Sequence, residues 1–147
     1  MSVTYITADL RRLIVARAEG ICEYFLIAKE DTFYGCEADH IISEKHGVIT
    51  SEDNLAYACV FCNKWKGNDV GSIHWETSIF VRFFNPRTDA WADHFQLVDS
   101  RIEALTPIGF VTARLLSFNS GERVFERKIL QDMGRYPNEA ALKRMRK

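Results

Sequence analysis

Residues 36–68 read CEADHIISEKHGVITSEDNLAYACVFCNKWKGN. Asp39 and His40 sit side by side in a strand-like run rich in Ile and Ala. Burying such a pair costs free energy unless each side chain finds a partner or a task. The same stretch supplies the partners. Asn54 lies in the connection that follows, Asn63 comes just after CVFC, and Lys66 is three residues further on, where a helix would put it on the face of Asn63. A strand, a loop and a short helix can bring these groups together. On a regular strand adjacent residues face opposite ways, so a site shared by Asp39 and His40 requires the strand to end or twist there.

Outward from this stretch, residues 32–36 and 38–42 read as two short strands, 43–53 as a polar loop turning at Gly47, and NLAYAC (54–59) as the start of a helical turn. CVFCNKWKGND then reads as a two-cysteine knuckle entering a short helix closed by Gly67. Upstream, residues 7–19 have helical spacing, with Thr7 as cap and Gly20 as stop. Downstream, Ile79–Phe84, His94–Val98 and Arg101–Leu105 are strand candidates. Thr106 and Pro107 open a helix, and residues 121–133 and 138–147 are helical in pattern.

The 147 residues suit one domain, and at 47% hydrophobic and 27% charged they can bury a core rather than remain disordered. A net charge of −1 argues against a broad surface that coats nucleic acid, while leaving room for a local basic site. No apolar run approaches the ~18 residues of a membrane span. The N-terminus lacks a secretory-type core, so a cytoplasmic protein is expected. Four cysteines in such a chain point to metal ligands or buried thiols before disulfides.

Taken together, CEYF (22–25), EADHIISEKHG (37–47), TSEDNLAYACVFCNKWKG (50–67) and the later FFNPRTDAWADHF and ALTPIGFVTARLLSFN resemble the HNH endonuclease family, small stand-alone bacterial members in particular. The resemblance implies an α+β fold. A ββα-metal core, residues 1–72 with an N-terminal helix, carries a C-terminal extension of strands and helices, residues 73–147, packed with it as one unit. It implies a metal-dependent endonuclease acting on nucleic acid, DNA before RNA. His40 corresponds to the general base, Asn54 to the middle Asn that holds the loop and orients His40, and Asp39 and Asn63 to the metal ligands. His40 would then pair with a water and a backbone carbonyl. A site of one carboxylate, one amide oxygen and waters suits a hard ion, Mg²⁺ or Mn²⁺, with other divalent ions open. Lys66 is a candidate phosphate contact or a solvated helix residue. The alternative function is a non-catalytic nucleic-acid-binding module on the same scaffold. The oligomeric state is open.

One departure stands out. Family members often hold a structural zinc with two Cys-x-x-Cys pairs. Here Cys59 and Cys62 are intact, but Phe25 stands where Cys22 needs its partner. Three thiols fall short of the four ligands that structural zinc takes. Either Phe25 fills the place of the metal by packing, or Cys36 or His46 completes the set. Trp65, Trp75, Trp91, Phe80, Phe83 and Phe84 are candidates for base stacking or for core. Lys143, Arg144, Arg146 and Lys147 are candidates for the phosphate backbone or for a solvated helix end. His46 and His74 read as loop and surface residues, and His94 as a packing or capping residue.

Overall fold

The computed structural model describes residues 5–146, so Lys147 lies outside the described residues. Helix α1 (Ala8–Ala18) begins as its sequence dictates, with the Thr7 hydroxyl accepting from the Leu10 amide. Strands β1 (Cys36–His40) and β2 (Leu55–Cys59) pair antiparallel, Cys36 opposite Cys59 and His40 opposite Leu55. Helix α2 (Val60–Lys66) follows β2 without a break and completes a ββα unit. Two further hairpins follow, β3 (Gly71–His74) with β4 (Ile79–Arg82) and β5 (Phe95–Val98) with β6 (Arg101–Ala104), the one-turn helix α3 (Trp91–His94) standing between them. Helix α4 (Pro107–Leu115) packs on both hairpins, and α5 (Gly121–Asp132) and α6 (Glu139–Met145) end the described chain. The class is α+β. No helix among the described residues is long and apolar enough to cross a membrane.

Three expectations fail around the first hairpin. NLAYAC is a strand, not a helical turn. Leu55 and Tyr57 pack towards α1 with Ile6, Ile14 and Ala18, while Ala56 and Ala58 join the larger core on the other face, as does Cys59 at the strand's end. A strand buried on both faces is an unbroken apolar run, and such a run shows no period to distinguish it from a helix. Residues 32–35 are a turn instead of a strand. Gly35 adopts φ 73°, a conformation open chiefly to glycine, and its amide reaches the Thr32 carbonyl. Strand β1 also stops at His40 rather than running to residue 42, because the Ile41 and Ile42 amides bond to Asn54 instead of to a strand.

The second half is tied to the first by buried polar contacts. The Trp91 indole donates to the Tyr24 carbonyl at 2.9 Å and the Tyr136 hydroxyl to the Phe25 carbonyl at 3.1 Å. Arg87 pairs with the buried carboxylate of Glu23. Lys143 and Arg144 pair with Glu19 at the end of α1, so these two tail cations are engaged within the fold. Trp91, Phe83 and Phe84 are core residues, whereas Trp65, Trp75 and Phe80 are exposed.

Candidate functional site

The site is built where β1 ends against α2. Glu37 and Asp39 are two apart on β1 and share one face. Asn63 and Lys66 are three apart on α2 and share another. The two faces meet. The Asn63 Nδ2 group donates to Glu37, and the Lys66 Nζ lies 3.1 Å from Asp39 Oδ2. A carboxylate only accepts, so the bond to Glu37 leaves the Asn63 Oδ1 as the amide's uncommitted oxygen.

Asp39 is 9% exposed and Lys66 2%. Burial pushes the Asp39 carboxyl above the ordinary aspartate range, with Lys66 and then His40 pulling it back. Its Oδ2 is buried without a geometrically complete hydrogen bond. A hard divalent ion fits this donor set: one carboxylate with an incompletely satisfied oxygen, and one amide oxygen set by its neighbour. Lys66 is not the solvated helix residue that was one of its two readings, nor does it face outward as the phosphate contact would. Its ammonium points inward and donates to the His40 carbonyl at 2.7 Å, so it braces Asp39 and the backbone of His40 instead of presenting a cation to a phosphate.

His40 is the last residue of β1, and its strand partner across the hairpin is Leu55. The strand ends there, as a site shared by two adjacent residues requires. The ring is held by a side chain rather than by the backbone carbonyl expected from sequence. Its Nε2 lies 2.7 Å from the Thr50 Oγ1, and that hydroxyl donates to Glu44 at 3.2 Å. Asn54, 6% exposed, does not touch the ring. Its amide oxygen accepts from the Ile42 amide at 2.9 Å, and its NH₂ donates to the carbonyls of Ile42 at 2.8 Å and Ile49 at 3.4 Å. One side chain thus clamps both arms of the loop that carries Glu44 and Thr50.

The thiol knuckle lies at the other end of α2. Cys22, Cys59 and Cys62 are buried, with their sulfurs within 4.8 Å of one another, close enough to share a metal ion. Hydrogen bonds from Cys22 and Cys62, with Arg123 adding its charge, hold Cys59 far below the ordinary thiol range, while burial pushes Cys22 and Cys62 up. The fourth zinc ligand is missing among the described residues. Cys36 is not part of the cluster, and His46 is turned away with its Nε2 3.0 Å from the Asn68 carbonyl. Phe25 fills the place in the motif, and Arg123 of α5 covers the cluster. Its guanidinium carbon stands 3.6 Å from the centre of the Phe25 ring, and its Nη2 reaches Cys59 Sγ at 3.4 Å and Cys62 Sγ at 3.9 Å. The residues present therefore do not make the four-ligand set of a structural zinc.

The remaining histidines are structural in their contacts. His74 is not the loop or surface residue expected but a buried residue of β3 that meets the edge of Phe110, and His94 shares a hydrogen bond with Thr106, the cap of α4. Sequence reasoning missed Glu37, Thr50, Glu44 and Arg123. Only Glu37 carried a usable signal, its place two residues before Asp39. Thr50 and Glu44 lie in an aperiodic loop, and Arg123 is 61 residues beyond Cys62.

Comparison with known proteins adds one finding. Residues 22–69 match the model of a family described as HNH endonuclease. No curated protein and no solved structure matches the chain.

Proposed function

We propose, from the match of residues 22–69 to the HNH endonuclease model and the site described above, that the chain is a nuclease that hydrolyses phosphodiesters, in DNA before RNA. The observation that supports the reading is the packing of α2 on β1, which sets Lys66 on Asp39 and Asn63 on the neighbouring Glu37, with the His40 ring held by Thr50 where β1 ends. His40 takes a proton from a water as that water's oxygen bonds to phosphorus. The bond to the leaving oxygen breaks, and that oxygen takes its proton from solvent. Asp39 and Asn63 would hold a divalent ion, Mg²⁺ or Mn²⁺, which supplies charge stabilisation for the phosphate and leaving oxygens. Lys66 steadies Asp39, and Asn54 is a positioning residue that fixes the loop beside His40. Its four free thiols support a reducing, cytoplasmic setting.

The test is cleavage of supercoiled plasmid with Mg²⁺, Mn²⁺ or Zn²⁺ in turn, wild type beside His40→Ala. Metal-dependent nicking or linearisation, reduced about 10²- to 10⁴-fold in the variant, is expected. Equal cleavage by both proteins removes the assignment of His40. A binding module without catalysis is the second reading. Lys66 favours it, because its ammonium already neutralises Asp39. It predicts that the protein retains DNA on a gel but never cuts it.

A further inference from the structure

We infer that Thr50 and Glu44 are positioning residues that lock the His40 ring in one tautomer and one orientation, with Nδ1 left as its proton-accepting nitrogen. The inference rests on the nuclease reading above for its catalytic meaning, but its geometry stands apart from that reading. A threonine hydroxyl has one proton to give. Here that proton goes to Glu44 Oε2, at 3.2 Å. The Thr50 oxygen can therefore only accept from His40, and the 2.7 Å contact is an Nε2–H donating to Oγ1. A neutral imidazole carries a proton on one nitrogen, so the lone pair is on Nδ1. Glu44 does a second thing. Its Oε1 stands 3.9 Å from Nε2, so the positive ring formed when Nδ1 takes a proton faces a carboxylate across the hydroxyl.

The loop is constructed to hold this arrangement. Glu44 opens a short 3₁₀ turn whose preceding residue, Ser43, caps the Lys45 amide, and Gly47 closes it with φ 86°. The chain then returns so that Thr50 faces Glu44, and the Asn54 amide ties Ile42 before the turn to Ile49 after it. Asn54 holds the loop, the loop presents Glu44 and Thr50, and these two hold the ring. Asn54 therefore acts on His40 at two removes, and the ring's immediate partners are the two residues assigned here.

Two measurements on the full chain test this. The first needs no cleavage. A long-range ¹H–¹⁵N correlation spectrum of the metal-free protein at a pH where the imidazole is neutral should show His40 as the Nε2–H tautomer. In Thr50→Val that preference should collapse towards a mixture. An Nδ1–H tautomer in the wild type overturns the inference. The second measurement is plasmid nicking at varied plasmid concentration with Mn²⁺. Thr50→Val should lower kcat by about 10- to 100-fold with KM unchanged, the usual cost of losing a group that orients a reacting residue. Thr50→Ser, which keeps the hydroxyl, should stay within about threefold of wild type, and Glu44→Gln should fall between the two. A loss expressed in KM, or Ser as impaired as Val, overturns the positioning role. Glu44→Gln, a conservative change at a partly exposed side chain, keeps the test available should Thr50→Val fail to fold. A wild type that cuts nothing while its ring is locked as Nε2–H sinks the nuclease reading and leaves the geometric inference standing.

Discussion

The short helix α2 serves two regions that have been treated differently. At its N-terminal end Cys59 and Cys62 face Cys22 in the thiol knuckle. At its C-terminal end Asn63 and Lys66 face Glu37 and Asp39. The polar end gathers carboxylates, an amide, an ammonium and an imidazole, and each of Asp39, Asn63 and His40 has a polar neighbour. The thiol end has three thiols and an aromatic ring, with Phe25 stacked under one guanidinium and beside the second, Arg127, at 4.5 Å. On the reading proposed above, one end serves chemistry, while the other joins the two halves of the chain through Phe25 and Arg123. Substitutions should therefore separate: losses at the polar end fall on activity, and losses at the knuckle fall on stability.

The largest expected effect breaks the knuckle. Phe25 is fully buried, with Phe118 edge-on at 5.7 Å. Phe25→Ala should cost about 3–5 kcal/mol in urea denaturation, a large share of the stability of a domain this size. His40→Ala, at a partly buried ring that gives up its contact with Thr50, should cost only about 1 kcal/mol. A Phe25→Ala cost below about 1 kcal/mol would mean that the packing does not carry the knuckle. The companion change is Phe25→Cys, which restores a fourth thiol. That variant should bind one zinc per chain by elemental analysis and melt lower in chelator, while the wild type melts at the same temperature with or without chelator. A full equivalent of zinc in the wild type would erase the distinction between the two regions.

Lys66 belongs to the polar end in place, but its loss should act on stability as well as on activity. It is buried at the polar end, so Lys66→Met leaves the Asp39 carboxylate without its cation and the His40 carbonyl without its donor. The expected cost is about 3 kcal/mol. Part of it should return on adding Mn²⁺, because an ion that binds only the folded protein stabilises it and brings charge back to Asp39. A variant as unstable with Mn²⁺ as without it would place the metal away from Asp39. This is the one position where the separation of activity from stability should blur.

How legible these regions were in the sequence differs in the same way. The polar end was readable because its residues lie within one stretch and follow the geometry of local elements: strand alternation for Asp39, helical spacing for Asn63 and Lys66. The direction of Lys66 was not, since an ammonium on a short helix looks solvated until β1 is laid across it. The missing cysteine was visible at Phe25, but its replacement was not, because Arg123 arrives from a helix about 100 residues away along the chain. The later hairpin and helices were readable from caps and turns: Thr106 and Pro107 open α4, and Asp99 with φ 56° turns β5 into β6. β2 was misread because burial on both faces removes its alternation.

The smallest effect expected is at Glu37, and it asks how far the tuning of the polar end extends. Glu37 is exposed, so its loss should change stability by less than about 0.5 kcal/mol. Its carboxylate nevertheless takes the NH₂ of Asn63 and so decides which way that amide faces. In Glu37→Ala the amide is free to rotate, and a ligand that faces the ion only part of the time binds it more weakly. The Mn²⁺ concentration for half-maximal plasmid nicking should rise about threefold, at the low end for a group behind a ligand, with the rate at saturating Mn²⁺ unchanged. A drop in the saturated rate would instead make Glu37 a participant in the reaction. No change in either would mean that the Asn63 amide is held by α2 alone, and the interlocking of polar groups would then stop at Asp39 and Lys66.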